Sequence, residues 1–208
     1  FIPNFDPDSS FDLYGRCDPK IEAFGGSTIA QALLLQQQSL NFPVAVEEMG
    51  AQLNFYKAEK GAKVELAGEE SKLVVTAGEL NHPGGCFGYR IEEHRGSAVK
   101  VFVFATDHEH GASVHAGLQE LAKDADVLFY DAQYSPEQYE KMIGWGHSTW
   151  VHGLREAEAA QAKWLLLTHH DPLNDDWAIA RLENDARRRG KKLGIRTDAA
   201  REGMEIEL

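Results

Sequence analysis

WLLLTHHDP, residues 164–172, sets four large apolar side chains against two histidines and an aspartate. A short apolar run bounded by turn residues reads as a strand buried on both faces, and in layered α/β proteins the ends of such strands are where ligands bind. The same pattern recurs along the chain. AVKVFVFATDHEH (98–110) carries a strand into Asp107, His108 and His110, DVLFY (126–130) runs into Asp131, and VVTAGEL (74–80) is followed by His82. Imidazole and carboxylate groups are thus delivered to strand ends, along one edge of a sheet.

Working outward from these strands, the spacing predicts a short strand at Phe11–Gly15, then a helix capped by Ser27 or Thr28 and ending before Pro43. Short strands follow at Gln52–Ala58, Lys63–Leu66, Lys72–Thr76 and Cys86–Glu92, separated by turns rich in Gly and Glu. After Ala98–Thr106 the order becomes helix and strand in alternation: helix Gly117–Lys123, strand Asp126–Tyr130, a helix capped by Thr149 and running to about Ala162, strand Lys163–Thr168, and an amphipathic helix Trp177–Arg189. Met204–Leu208 alternates as a last strand. No repeat or linker divides the chain, so the expected architecture is one α/β domain over 1–208, a mixed sheet with helices outside it.

Composition narrows the function. A chain of 208 residues with 43% hydrophobic residues can bury one sizeable core. The formal charge of −12 opposes sequence-independent binding along a nucleic-acid backbone. Cys17 and Cys86 do not form a disulfide framework, and no run has the length of a membrane span, so a cytoplasmic protein with no membrane partner is expected. The basic run ARRRGKK (186–192) reads as the solvated end of the last helix, where cations complement the helix dipole.

Any one histidine at a strand end is most often a hydrogen-bonded surface residue. Several such ends together are a different matter, because imidazole plus carboxylate is a ligand set for zinc, iron or manganese. A pair of such ions about 3.5–4 Å apart suits phosphodiester hydrolysis. His94, His115 and His152 lie in a turn or on helical faces and read as ordinary.

The ordered segments HPGGCFGYR (82–90), ATDHEH (105–110), ADVLFYDAQY (125–134), GWGHST (144–149) and LLLTHHDP (165–172) resemble the metallo-β-lactamase superfamily, in its ribonuclease Z-like and cyclic-nucleotide phosphodiesterase-like branch. The resemblance extends over most of the chain. It implies an αββα sandwich with two divalent ions at one sheet edge, zinc as first choice and manganese or iron as alternatives. It implies His82 as ligand of one metal, Asp107 as the bridging ligand and His169 as ligand of the other, with His170 the alternative at that strand end. His147 resembles the residue that assists proton transfer to the leaving group, Asp131 stands where ribonuclease Z carries a glutamate that orients it, and His110 would support the metal shell.

The superfamily's His-x-His-x-Asp-His signature does not occur in the 208 residues. In relatives it precedes a segment resembling FIPNFDPDSSFDLYG (1–15), so the sequence reads as a domain whose N-terminal part is missing, a weak metal binder and inactive as it stands. Asp107 follows His82 by only 25 positions, which leaves no room for the tRNA-clamping arm of ribonuclease Z relatives. The functional expectation is a metal-dependent hydrolase, a phosphodiesterase for a small phosphodiester such as a cyclic nucleotide, with nucleic acid disfavoured as substrate and room for a homodimer. A non-catalytic sensor or scaffold of the same fold is the alternative, and a thioester or lactam hydrolase the third reading.

Overall fold

The computed structural model describes residues 6–16, 29–38, 40–41, 43–45, 48–113 and 115–207. Ser27 and Thr28, read as helix caps, lie outside the described residues. Two compact units divide the chain, Phe1–Glu59 and Lys60–Leu208. In the first, β1 (Ser10–Arg16) pairs in parallel with β2 (Gln52–Ala58), with Phe11 opposite Leu53 and Leu13 opposite Phe55. Parallel partners need a crossover, and α1 (Ile29–Gln36) lies in it.

The second unit is built on one seven-stranded sheet in strictly sequential order. β3 (Lys63–Ala67), β4 (Lys72–Leu80), β5 (Cys86–Arg95) and β6 (Ala98–Ala105) form an antiparallel meander. From β6 onward the pairing is parallel, through β7 (Val127–Asp131), β8 (Trp164–Thr168) and β9 (Arg196–Ala199). Each parallel step contains helix: α2 (Ala116–Ala122) between β6 and β7, α3 (Pro136–Tyr139) and α4 (Trp150–Ala159) between β7 and β8, α5 (Asp176–Leu193) between β8 and β9. This is a mixed α/β arrangement, as the alternation of apolar strands and amphipathic helices predicts.

Side chains alternate across the sheet. Val101, Val103, Leu128, Tyr130, Leu165 and Leu167 join Leu118, Leu121, Leu154 and Ala186 of the helices in the main core. Val127, Trp164 and Leu166 point to the other face, where Phe102, Phe129 and Ile206 pack against them. Gly78 and Gly88 let α2 approach closely, since a Cβ on Gly78 would meet Leu121 Cδ1 at 2.7 Å.

Two readings of the C-terminal region are corrected. Met204–Leu208 is not a strand over its described residues, although Ile206 packs against the Trp164 cluster. The last strand is Arg196–Ala199, whose polar sequence gave no strand signal. It is held by parallel pairing with β8, by Arg196 stacked over Trp164 with its guanidinium carbon 3.6 Å from the ring centroid, and by Glu183 accepting from the Ala199 amide at 2.9 Å.

Candidate metal centre

The sheet topology explains why the strand-end residues meet. β4 runs antiparallel to β5, and β5 antiparallel to β6, so β4 points the same way as β6, β7 and β8. Their C-terminal ends lie along one edge. His82 comes two residues after β4, Asp107 two after β6, Asp131 closes β7, and His169 directly follows β8. Asp107 and His169 have left-handed backbones, φ 53° and 58°, a conformation that few residues other than glycine adopt and that Asp and His tolerate better than most. Such strain concentrates at functional sites.

The carboxylate of Asp131 is fully buried. Its Oδ1 accepts from the amides of Ser148 at 3.0 Å and Gln133 at 3.2 Å, and its Oδ2 pairs with Nδ1 of His147 at 2.9 Å. That bond fixes the imidazole and leaves Nε2 as its open atom. The hydrogen bond to Asp131 raises the His147 pKa above the ordinary histidine value, against the opposing effect of burial, and the charges of Asp131, Asp107 and Glu109 add to the rise. His147 stacks on His169 with ring centroids 4.8 Å apart and meets His82 edge-on at 5.8 Å. His169 Nε2 lies 3.5 Å from Asp107 Oδ1.

Donor atoms of His82, Asp107 and His147 lie within 4.8 Å of one another, and those of Asp131, His147 and His169 do likewise. Ligands bonded to one divalent ion at about 2.0–2.2 Å sit roughly 3.4 Å apart in a tetrahedral site, so small side-chain movements bring either trio to that spacing. Neutral imidazole and carboxylate oxygen are donors for zinc, manganese or iron. The residues present therefore fit a divalent ion. Every residue read from the sequence as a ligand or proton-transfer group takes part in one of these trios, and His147, read only as a proton donor, takes part in both.

Three other histidines of the cluster stand apart from the trios. Both ring nitrogens of His170 are buried without a hydrogen-bond partner among the described residues, and burial lowers its pKa. At this strand end it is thus His169, not His170, that joins the other donors. His110 pairs through Nδ1 with Ser148 Oγ at 2.8 Å and stacks on His152. His108 is fully buried, accepts from the Asn81 amide at 3.2 Å, and is pushed down to about 3, first by burial and then by neighbouring His115 and His110.

Sequence reasoning passed over Glu109, which lies between the two histidines of ATDHEH. Its carboxylate accepts from the amides of Gly144 at 2.6 Å and Gly146 at 2.9 Å and from the Tyr139 hydroxyl at 2.8 Å. Burial raises its pKa, but these three donors prevail and lower it. The available signal was a carboxylate at a strand end in a chain that also carries a Gly-x-Gly loop with several free amides.

Residues 19–170 match the model of the family described as Beta-lactamase superfamily domain. Ribonuclease BN of Cronobacter sakazakii is 25% identical, with 81% of this chain aligned to 69% of that protein. Ribonuclease Z of Bacillus subtilis is 26% identical, with 76% of this chain aligned to 59% of that protein. The chain thus spans only part of the length of these relatives. Among solved structures, the metallo-β-lactamase fold protein YhfI of Bacillus subtilis superposes with a TM-score of 0.58 at 20% identity, covering 94% of this chain and 64% of that one. Human tRNase Z, short form, gives 0.55 at 20% identity over 96% of this chain and 68% of that one, and yeast PDE1 gives 0.58 at 14% identity over 93% and 59%. The structural likeness is one of fold, while the family match runs through every strand end that carries a site residue. The chain belongs to the metallo-β-lactamase superfamily.

Proposed function

We propose that this chain carries the proton-transfer group and part of the metal-binding set of a dinuclear, metal-dependent phosphodiesterase that acts on a small phosphodiester such as a cyclic nucleotide. His82, Asp107 and His169 hold the metals, His147 donates a proton to the leaving oxygen, and Asp131 orients His147. The observation that carries this reading is the 2.9 Å bond between His147 Nδ1 and buried Asp131, set beside His82, Asp107 and His169.

Divalent ions, when bound, would supply a water of lowered pKa and neutralise charge that builds on the phosphoryl oxygens. The remaining work falls to the chain. Asp131 fixes the proton on Nδ1 and directs Nε2 outward, and the raised pKa keeps more of His147 protonated near neutral pH. A protonated Nε2 can then hand its proton to the departing alkoxide. Buried Asp131 cannot turn away, because Ser148 and Gln133 donate to its other oxygen.

Support for a small substrate comes from the segment between His82 and Asp107. The β5–β6 hairpin fills it, with a two-residue turn at Gly96 and Ser97, and no arm projects from it. The net charge of −12 also disfavours a polyanion. The ribonuclease names of the sequence relatives support phosphodiester chemistry in general. The two cysteines and the absence of any described helix long and apolar enough to cross a membrane are compatible with a cytoplasmic setting.

The test is an assay of the chain, and of the reading frame extended upstream of Phe1, after loading with Zn²⁺ or Mn²⁺. Substrates are bis(p-nitrophenyl) phosphate, 2′,3′- and 3′,5′-cyclic nucleotides, a thioester, a β-lactam and a tRNA precursor with a 3′ trailer. Turnover of the small diesters by the extended frame, abolished by EDTA, is expected, with little or none from residues 1–208 alone. Turnover of the precursor alone, or of the thioester or lactam alone, would replace this reading. Two bound ions with no turnover of any substrate would favour the sensor or scaffold.

A further inference from the structure

Three of the segments that carry the candidate site meet at Glu109: the turn after β4 with His82, the loop after β6 with Asp107, and the loop GWGHST with His147. Glu109 touches all three. Its backbone is paired to the first, since its amide donates to Asn81 O at 2.7 Å and its carbonyl accepts from Asn81 Nδ2 at 2.8 Å. It belongs to the second. Its side chain is spent on the third and on the short helix before it, with Oε1 taking the Gly144 amide and the Tyr139 hydroxyl and Oε2 taking the Gly146 amide.

The loop has the backbone shape that this requires. Gly144 and Gly146 adopt φ 87° and 92°, which turns their amides toward one point where the carboxylate sits. Gly146 also leaves no space toward His82, because a Cβ there would collide with the imidazole, with Nε2 only 2.5 Å away. The loop is thereby seated against His82 while its next residue, His147, reaches Asp131. Glu109 itself is 6% exposed, so solvent cannot take over its three hydrogen bonds without opening the structure.

We propose that Glu109 is a positioning residue that clamps the His147 loop onto the site, linking the placement of the proton donor to that of His82 and Asp107. The role of His147 rests on the proposed phosphodiesterase reading, whereas the clamp itself is a property of the metal-free chain. A merely structural carboxylate would stabilise the fold as a whole. A clamp acts on one loop, and its removal releases that loop while the sheet and the other helices stay as they are.

The experiment compares the wild-type chain with Glu109→Gln, which keeps the volume but places an NH₂ donor against an amide donor, and with the milder Tyr139→Phe, which removes one donor and leaves the carboxylate. Amide hydrogen exchange and NMR are read on the metal-free proteins. The expected result is that Gly144 and Gly146 amides exchange at least about tenfold faster in Glu109→Gln and less so in Tyr139→Phe. Amides of β7, β8 and α5 should be unchanged, and the His82–His147 ring contact should be lost in Glu109→Gln only. If the diester assay succeeds, Glu109→Gln lowers kcat with KM and metal content retained, and adding it to His147→Ala costs nothing further. Equal loop exchange in wild type and Glu109→Gln, or a preserved His82–His147 contact in the variant, overturns the clamp. Additive losses in the double variant overturn its action through His147. If the extended wild-type frame turns over no diester, the phosphodiesterase reading fails, and the exchange and ring-contact results still decide the clamp.

Discussion

Asp107 and His169 face each other across 3.5 Å, carboxylate oxygen to Nε2, and both hold left-handed backbones immediately beyond parallel strands. Each side chain is more than a third exposed, so this contact contributes little to stability. In the proposed reading its worth lies in presenting two candidate metal donors on rigid supports.

Asp107→Asn and His169→Asn follow from this. Asn accepts the left-handed region readily, so both variants should melt within about 2 °C of the parent. Zinc or manganese affinity should fall at least tenfold, beyond the ~10-fold lower bound seen when only a supporting partner of a ligand is removed. Thermal melts and metal analysis after dialysis check this. A collapse of the melt in either variant would mean that the pair is structural.

In the frame extended upstream of Phe1, His147→Ala should reduce diester turnover by about two to four orders of magnitude, the range for a missing general acid. The loss should be smaller with p-nitrophenolate as leaving group, which needs little protonation. Asp131→Asn should follow the same pattern, since the proposed role of Asp131 is to orient His147. Because His147 shares both donor trios, metal content is the deciding measurement. Retained metal supports the proton donor, and loss of metal would make His147 a ligand.

Gly146→Ala places a Cβ against the His82 ring at a position with φ 92°. Two faults coincide, a left-handed alanine and a collision, each of a kind that costs about 1–3 kcal/mol. The expected outcome is a melting temperature lowered by several degrees and weaker metal uptake through displaced His82. An unchanged chemical shift of the His82 ring would contradict the packing described.

Stability should fall on the acid side of neutrality. His110 and His152 stack with centroids 3.1 Å apart, and Tyr139, Arg155, Arg189 and Glu109 are the other titratable or charged groups acting on them. Burial first, then His152 and Arg155, push His110 down to about 3, against the pull of Glu109, and burial, Arg155 and Arg189 push His152 down to about 4. Both rings are neutral in the fold, while the unfolded chain takes up protons near the ordinary value of about 6.5. The stability they contribute is therefore complete above about pH 6.5 and is lost as pH falls from there toward 4. A melt series from pH 7.5 to 4.5 should drop by roughly 5 °C or more, and His152→Gln should flatten it. A flat wild-type profile would show that the stack tolerates protonation.

The strands around the site were legible because WLLL, VFVFA and VLFY have no other stable placement than a buried sheet, and their ends fix where Asp107, Asp131 and His169 stand. RTDA was not legible as a strand. Its place depends on Trp164 and Glu183, which lie in other elements. MEIEL has the alternation of a strand and lacks a partner strand over its described residues. The four-residue helix α3 did carry a signal, a Ser135–Gln138 capping box with Pro136 after the cap, but it is too short for periodicity to reveal. The contacts of Glu109 with Gly144 and Gly146 span 35 and 37 residues and join loop to loop, where no repeat pattern exists to be read.

The Gly96–Ser97 turn that closes the β5–β6 hairpin lies at the opposite pole of the sheet from His82 and Asp107, since β5 runs away from the donor edge and β6 returns to it. Ten residues of β5 at about 3.3 Å each put some 30 Å between that turn and the candidate donor residues. A fluorophore, affinity handle or spin label attached at exposed Ser97, beside Gly96, can therefore be tolerated without disturbing a donor atom. The same label attached between Leu80 and Cys86 would fall directly among them.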